Sequence, residues 1–247
     1  MFFFRIIIFF LLLFSPVNAN TIYNLIKIPN LEIYQDNTSN GLKYLRATKP
    51  FKVGIRNNSV DCLNSSLKSI DKKFILIKNN LGRYSPNFLN KINLKFIVLC
   101  ENLIVSEISA AGVPNHKMRT LIVDINFDKK FFERVLHHEV FHLIYDTHKS
   151  YFSENDWKKF NNSEFKYSEC STCSNRLNLN LLEKNNGFFT EYSMSTASED
   201  MAEVFSFMMT DMEAVKYKVS KDPILNKKIL FIKNRLVEID DKFNFIK

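Results

Sequence analysis

The chain has 247 residues, is 46% hydrophobic and 14% aromatic, and carries a formal net charge of +8. That apolar content can bury a sizeable core, and with only five glycines and six prolines it excludes a disordered or fibrous chain. The lysines are scattered, as in Lys72-Lys73, Lys129-Lys130 and Lys227-Lys228, without a nucleic-acid motif, so the positive charge reads as a solvated surface and no nucleic-acid partner is expected.

Residues 1–19 form a separate object. Arg5 is their only charge, Ile6 to Phe14 is an unbroken apolar run, and Val17 and Ala19 fit the −3 and −1 positions of a cleavage site. This pattern predicts a secretory signal peptide removed after Ala19. The alternative is a retained anchor, but even with Phe2 to Phe4 included the run is about thirteen residues, short of the ~20 that span a bilayer. The mature chain is therefore expected to be secreted or periplasmic, without stable membrane insertion, and a monomer. Its four cysteines, Cys62, Cys100, Cys170 and Cys173, are an even number in an exported chain, which favours disulfides. The preferred pairing is Cys170–Cys173 with Cys62–Cys100, then crossed pairs, then free thiols.

Residues 20–50 are polar and mixed, with a turn at 37–41. Phe51 to Ile55 alternates like a strand. Leu63, Leu67, Ile70, Phe74 and Ile75 predict an amphipathic helix over 62–80. Ser85-Pro86 opens a short helix to about Ile92. Leu94 to Leu99 and Thr120 to Ile125 are β-rich runs, and the segment 110–115 between them, with Gly112 and Pro114, reads as a loop. Asp128 is placed to cap a helix from about Lys129 to Asp146. Its apolar positions cover most of its circumference, so it should be buried. Ser153 opens another short helix, 163–187 is an irregular loop holding a cysteine pair, Ser198 caps a helix from Glu199 to about Met209, and a final helix runs from about Pro223 to Phe243. After the signal peptide, a single domain is expected over 20–247: an N-terminal lobe (20–118), a core (119–210) and a helical C-terminal part (211–247).

Within the buried helix stands His138-Glu139-Val140-Phe141-His142, an H-E-x-x-H sequence. Residues four apart share a helix face, so both imidazoles can address one zinc ion, with Glu139 beside it as general base for a water. A charged Glu and three histidines in a buried helix are costly unless something satisfies them, and a metal does so. A third ligand must come from elsewhere in the chain. Glu199 and Glu203 lie four apart in Ser198-Glu199-Asp200-Met201-Ala202-Glu203. Glu199, near a helix N-terminus, is the candidate ligand, and Glu203, one turn on, can accept a hydrogen bond from the far nitrogen of a ligand histidine. Small Ala202 permits close helix approach, and Asp200 should point to solvent. His148 stands at the third-ligand offset of a metzincin, but Tyr145 replaces the glycine of that pattern, so it is a reserve ligand only. His137 should serve packing or a polar contact, and His116 a structural or exposed role.

Tyr192, then Glu199 seven residues on, then Glu203, after an H-E-x-x-H helix, resembles the gluzincin-type zinc metallopeptidases and the catalytic domain of anthrax lethal factor. The resemblance covers roughly residues 119–210. It implies an α+β, zincin-like fold with a small sheet, an H-E-x-x-H active-site helix and a mainly helical C-terminal part. It also implies one zinc per chain on His138, His142 and Glu199, support from Glu203, and Glu139 and Tyr192 as catalytic residues acting on a peptide or protein substrate. The cysteine pair and the N-terminal hundred residues depart from it, so substrate choice does not transfer. Zinc peptidases commonly place an edge strand above the site, and the sequence does not say which strand that is. The expectation is a secreted zinc endopeptidase. The alternatives are a zinc-holding but catalytically silent binding or toxin-like protein, and a chance motif.

Overall fold

The structure, a computed structural model, describes residues 30–54, 59–184 and 186–245. The expected signal peptide, and Ile55 of the strand expected over Phe51 to Ile55, lie outside those residues. Among the described residues no helix is long and apolar enough to cross a membrane.

The first half of the chain builds a curled mixed sheet. Strands β1 (Leu31–Gln35), β2 (Lys43–Ala47), β3 (Phe51–Val53), β4 (Val60–Leu63), β5 (Phe96–Val105), β6 (Ile108–Ser109), β7 (Gly112–Asn115) and β8 (Thr120–Asp124) all join it. Ten-residue β5 is its spine. The N-terminal half of β5 lies parallel to β2 and β8, and its C-terminal half pairs antiparallel with β4 and β6. Five-residue β8 is buried throughout, as a strand between two neighbours should be, and β7 closes that side antiparallel to it. The sheet departs from the sequence expectation at four points. Strands β1 and β2 occupy the segment read only as polar with a turn. Val60–Leu63 is strand, so the first helix, α1, starts at Leu67, capped by Ser66, whose Oγ accepts from Ser69 N at 3.0 Å. The β-rich run at 94–99 continues to Val105. The segment 110–115 is not a loop but the edge strand β7, whose short length and proline at 114 hide a strand signal. Disulfide Cys62–Cys100 ties β4 to β5, and Cys170–Cys173 closes a tight turn.

Helices α1 (Leu67–Leu81) and α2 (Pro86–Lys91) separate β4 from β5. The second half is largely helical: α3 (Phe132–Thr147), α4 (Glu154–Lys158), α5 (Ala197–Thr210), α6 (Met212–Val219) and α7 (Pro223–Ile239). Asp128 does not cap α3. It accepts from Lys130 N in the preceding turn, and α3 begins after Phe131 without a side-chain cap. Its stability comes instead from burial of Phe132, Leu136, Val140, Phe141, Leu143 and Ile144, each such side chain contributing about 1.5–3 kcal/mol. Thr196, not Ser198, caps α5: its Oγ1 accepts from Glu199 N at 3.2 Å. Every residue of α5 from Asp200 to Met209 is buried, because α3, α4, α6 and α7 surround it. Helix α6 was not legible in the sequence, and α7 stops at Ile239, where Asp240 turns extended.

Candidate metal centre

The packing of α3 on α5 makes the site. His138 and His142 stand one turn apart on α3, and Glu199 is the third residue of α5, where the Thr196 cap fixes its backbone. Buried Ala197 and Ala202 keep α5 slim on its approach. Donor atoms of His138, His142 and Glu199 lie within 4.8 Å of one another. His138 Nε2 is 2.8 Å from Glu199 Oε2, His142 Nε2 is 3.3 Å from the same oxygen, and the two Nε2 atoms are 3.2 Å apart. Zinc–donor bonds of about 2.0–2.1 Å in tetrahedral arrangement set donors ~3.3–3.4 Å apart. Two of the three separations match and the third is short by about half an ångström, so two imidazoles and a carboxylate fit zinc in both chemistry and spacing.

Behind the donors, His138 Nδ1 stands 3.0 Å from Glu203 Oε1, whose acceptor character makes Nδ1 the protonated nitrogen and leaves the Nε2 lone pair facing the centre. The other Glu203 oxygen accepts from Thr190 Oγ1 at 2.8 Å, and Arg134 Nε lies 3.9 Å from it. Burial pulls the His138 imidazole down, but hydrogen bonds to Glu199 and Glu203 and their charge outweigh it, pushing it up to about 10. Burial likewise lowers the His142 imidazole, and the charge and hydrogen bond of Glu199 outweigh it, so the ring stands above its ordinary value. Glu199 and Glu203 are each pushed up by burial, yet the histidines hold both below the usual carboxylate range. Electrostatics that hold a proton among these groups also favour a divalent cation in its place.

Glu139 follows His138 on α3 and is half-buried. Burial, against the pull of His138 and His142, pushes its carboxyl up to about 7. Tyr192 lies on a 3-10 turn, Tyr192–Met194, with its ring centroid 5.8 Å from that of His138. Burial, then the charge of Glu199 and Glu139, raises its phenol well above its ordinary value, so it stays a proton donor.

Not every sequence expectation joins the centre. His148 Nε2 bonds the Lys91 carbonyl at 3.0 Å and stands outside the donor group. His137 is buried on another side of α3, its Nδ1 2.6 Å from Tyr84 Oη and its Nε2 3.0 Å from Asn80 Oδ1. His116 lies 3.7 Å from Asp146 at the surface. Asp200 corrects the reading outright. It is fully buried, and its Oδ2 accepts from Trp157 Nε1 at 2.8 Å, Tyr167 Oη at 2.6 Å and Lys228 Nζ at 2.6 Å. A helix enclosed on every side has no solvent face to which the residue after Glu199 could turn.

Arg134 and Thr190, which steady Glu203, were missed by the sequence reading. Arg134 precedes His138 by one helical turn, a signal that was available; nothing local marks Thr190. The edge strand was missed as well. Gly112 pairs with Val123, and Asp124 N donates to Ala111 O at 3.0 Å. Bonded pairs alternate along an antiparallel ladder, so Ala111 and Val113 bond to β8 while Gly112 and Pro114 turn their backbone groups outward. Proline 114 thus forfeits a donor only on the free side, as an edge strand permits. β7 packs over α3, with Gly112 directly against the Glu139 side chain. The two runs at 94–99 and 120–125 are both interior strands.

Comparison with known proteins gives one family match. A family model described as "Putative zinc-binding metallo-peptidase" matches residues 108–246, more than half of the chain and a span containing every residue of the site. A solved structure described as a putative zinc-binding metallo-peptidase from Bacteroides caccae is similar at 18% identity over 76% of each chain, with a TM-score of 0.49. No curated protein matches the chain.

Proposed function

The chain belongs to the zinc-binding metallo-peptidase family matched over residues 108–246, and from that premise we propose that it is an exported, zinc-dependent endopeptidase. The observation that carries this reading is the convergence of the His138, His142 and Glu199 donors at tetrahedral spacing, with Glu139 and a protonated Tyr192 beside them. His138, His142 and Glu199 hold the ion, and Glu203 orients His138 through its Nδ1 hydrogen. Zinc, when bound, supplies a Lewis acid that polarises a carbonyl and brings the pKa of water toward about 7. Glu139 accepts the proton of the attacking water and passes it to the leaving amine. The Tyr192 hydroxyl donates to the oxygen on which negative charge develops.

The substrate is a peptide in extended form. The outward N–H and C=O of Gly112 on β7 offer it one pair of strand hydrogen bonds above the site, and Pro114 withholds the next donor, so pairing centres on Gly112. The two disulfides and the leader-like residues 1–19 support export, and the motif order supports a gluzincin-type site resembling that of lethal factor. Digestion of a peptide library by the purified protein tests the proposal. Cleavage at internal bonds should stop with a chelator and return with zinc. Absence of cleavage by the zinc-loaded protein, or cleavage indifferent to the chelator, overturns it.

A further inference from the structure

Gly112 is one of five glycines in the chain, and its backbone gives no reason for glycine: it sits in a regular strand without a positive φ. The reason is space. A Cβ at this position would stand 2.7 Å from Glu139 Cγ and 3.2 Å from its Cδ, with the Ile122 carbonyl oxygen 3.3 Å away. The carbonyl belongs to the paired strand β8, and the ladder to β8 holds β7 itself in place, so the group freest to give way is the Glu139 side chain. It cannot yield at its tip alone, because the crowded atom is Cγ. Relief requires rotation about the bonds nearer the backbone, and that carries the carboxylate away.

We propose that Gly112 is a positioning residue: the missing side chain on the edge strand sets where the Glu139 carboxylate stands. This deepens, and rests on, the reading of Glu139 as general base. It also links two requirements at one position, since the residue whose outward backbone pairs with an extended peptide is the one that clears room for the base. A peptide on β7 and the carboxylate that serves it are thereby held at a fixed distance by a single residue.

The test is Gly112→Ala in the full chain. None of the three atoms nearest to a Cβ at Gly112 belongs to His138, His142, Glu199 or Glu203, so stoichiometric zinc should be retained. With the carboxylate displaced by about an ångström, kcat/KM should fall about 10²-fold. The second readout needs no substrate: the ¹³C carboxyl resonance of Glu139, assigned by its loss in Glu139→Gln, should move in Gly112→Ala. Unchanged kcat/KM in an active enzyme, or an unmoved resonance, overturns the proposal. If Gly112→Ala does not fold, the same substitution goes into Glu139→Ala, which lacks Cγ; that protein should fold, and its failure to do so also overturns the proposal. If the wild type cleaves no peptide, the peptidase reading fails, while the resonance shift still reports on Gly112.

Discussion

Two buried polar clusters share helix α5, one on each of two successive residues. Glu199 faces His138 and His142, with Glu203 a turn on against His138 Nδ1; Asp200 faces Trp157, Tyr167 and Lys228. The second cluster carries its own cation. Lys228 Nζ sits between Asp200 Oδ2 and the Gly187 carbonyl, at 2.6 and 2.7 Å, and over the Phe188 ring at 3.9 Å. The first gathers the carboxylates of Glu139, Glu199 and Glu203 around two imidazoles whose proton affinity Glu199 and Glu203 raise, and its permanent cation, Arg134, lies 3.9 Å from Glu203. One cluster has its charge matched from within, with Asp200 Oδ1 left without a partner among the described residues, and fastens α5 to α7 and to the segment at Gly187. The other leaves its lone pairs converging on a point that a divalent cation satisfies. A buried charge that meets a built-in partner is structural; donors that converge without one mark a site for something from outside.

Breaking the charge-matched cluster should cost the most. Lys228→Met leaves Asp200 buried without its cation and should lower stability by about 3–5 kcal/mol in urea unfolding, and adding Asp200→Leu should recover part of that loss. An unchanged unfolding midpoint for Lys228→Met would show that the pair contributes nothing. In the open cluster, Glu139→Gln should retain zinc while peptide hydrolysis drops about 10²–10⁴-fold, measured as kcat on a cleaved peptide. A variant that cleaves at the wild-type rate removes Glu139 from the chemistry. A smaller effect is expected behind the metal. Glu203→Gln should weaken zinc affinity about 10–100-fold by competition with a chromophoric chelator, because His138 loses a charged acceptor; unaltered affinity would separate Glu203 from the centre.

An effect confined to acid pH concerns His137, which shares α3 with the ligands but belongs to neither cluster. Burial, and then the nearby Arg83 charge, push its pKa down to about 3. Its folded form stays neutral where the unfolded histidine, near 6.5, takes up a proton. Stability from this residue is complete above pH 6.5 and is lost as pH falls from 6.5 toward 3, by up to about 1.4 kcal/mol per pH unit. His137→Gln should flatten the pH dependence of the unfolding free energy between pH 6.5 and 5. A slope identical to that of the wild type would mean that His137 is protonated in the folded protein.

The legible parts of this molecule were those written in local spacing. The i, i+4 offset puts His138 with His142 and Glu199 with Glu203 on single helix faces, whatever surrounds them, and the even cysteine count in an export-type chain led to both disulfides. Tyr192 came from resemblance rather than spacing, since seven residues across a loop and a helix start define no distance. The illegible parts depended on what packs outside an element. Asp200 was misplaced because one contact face of α5 was known and three were not. Strand β7 was missed because an edge strand of four residues with a glycine and a proline looks like a turn until β8 pairs with it.

By itself the sequence determined which atoms were available to bind a metal and on which helical faces they stood, because hydrogen-bonded turns repeat every 3.6 residues regardless of context. Tertiary structure alone decided how α3 and α5 close to bring those atoms within 4.8 Å, which strand covers them, and that a missing methyl group at Gly112 makes room for Glu139. Those are distances between segments remote in the chain, and they follow from packing volume and from the pairing of strands, neither of which a local pattern encodes.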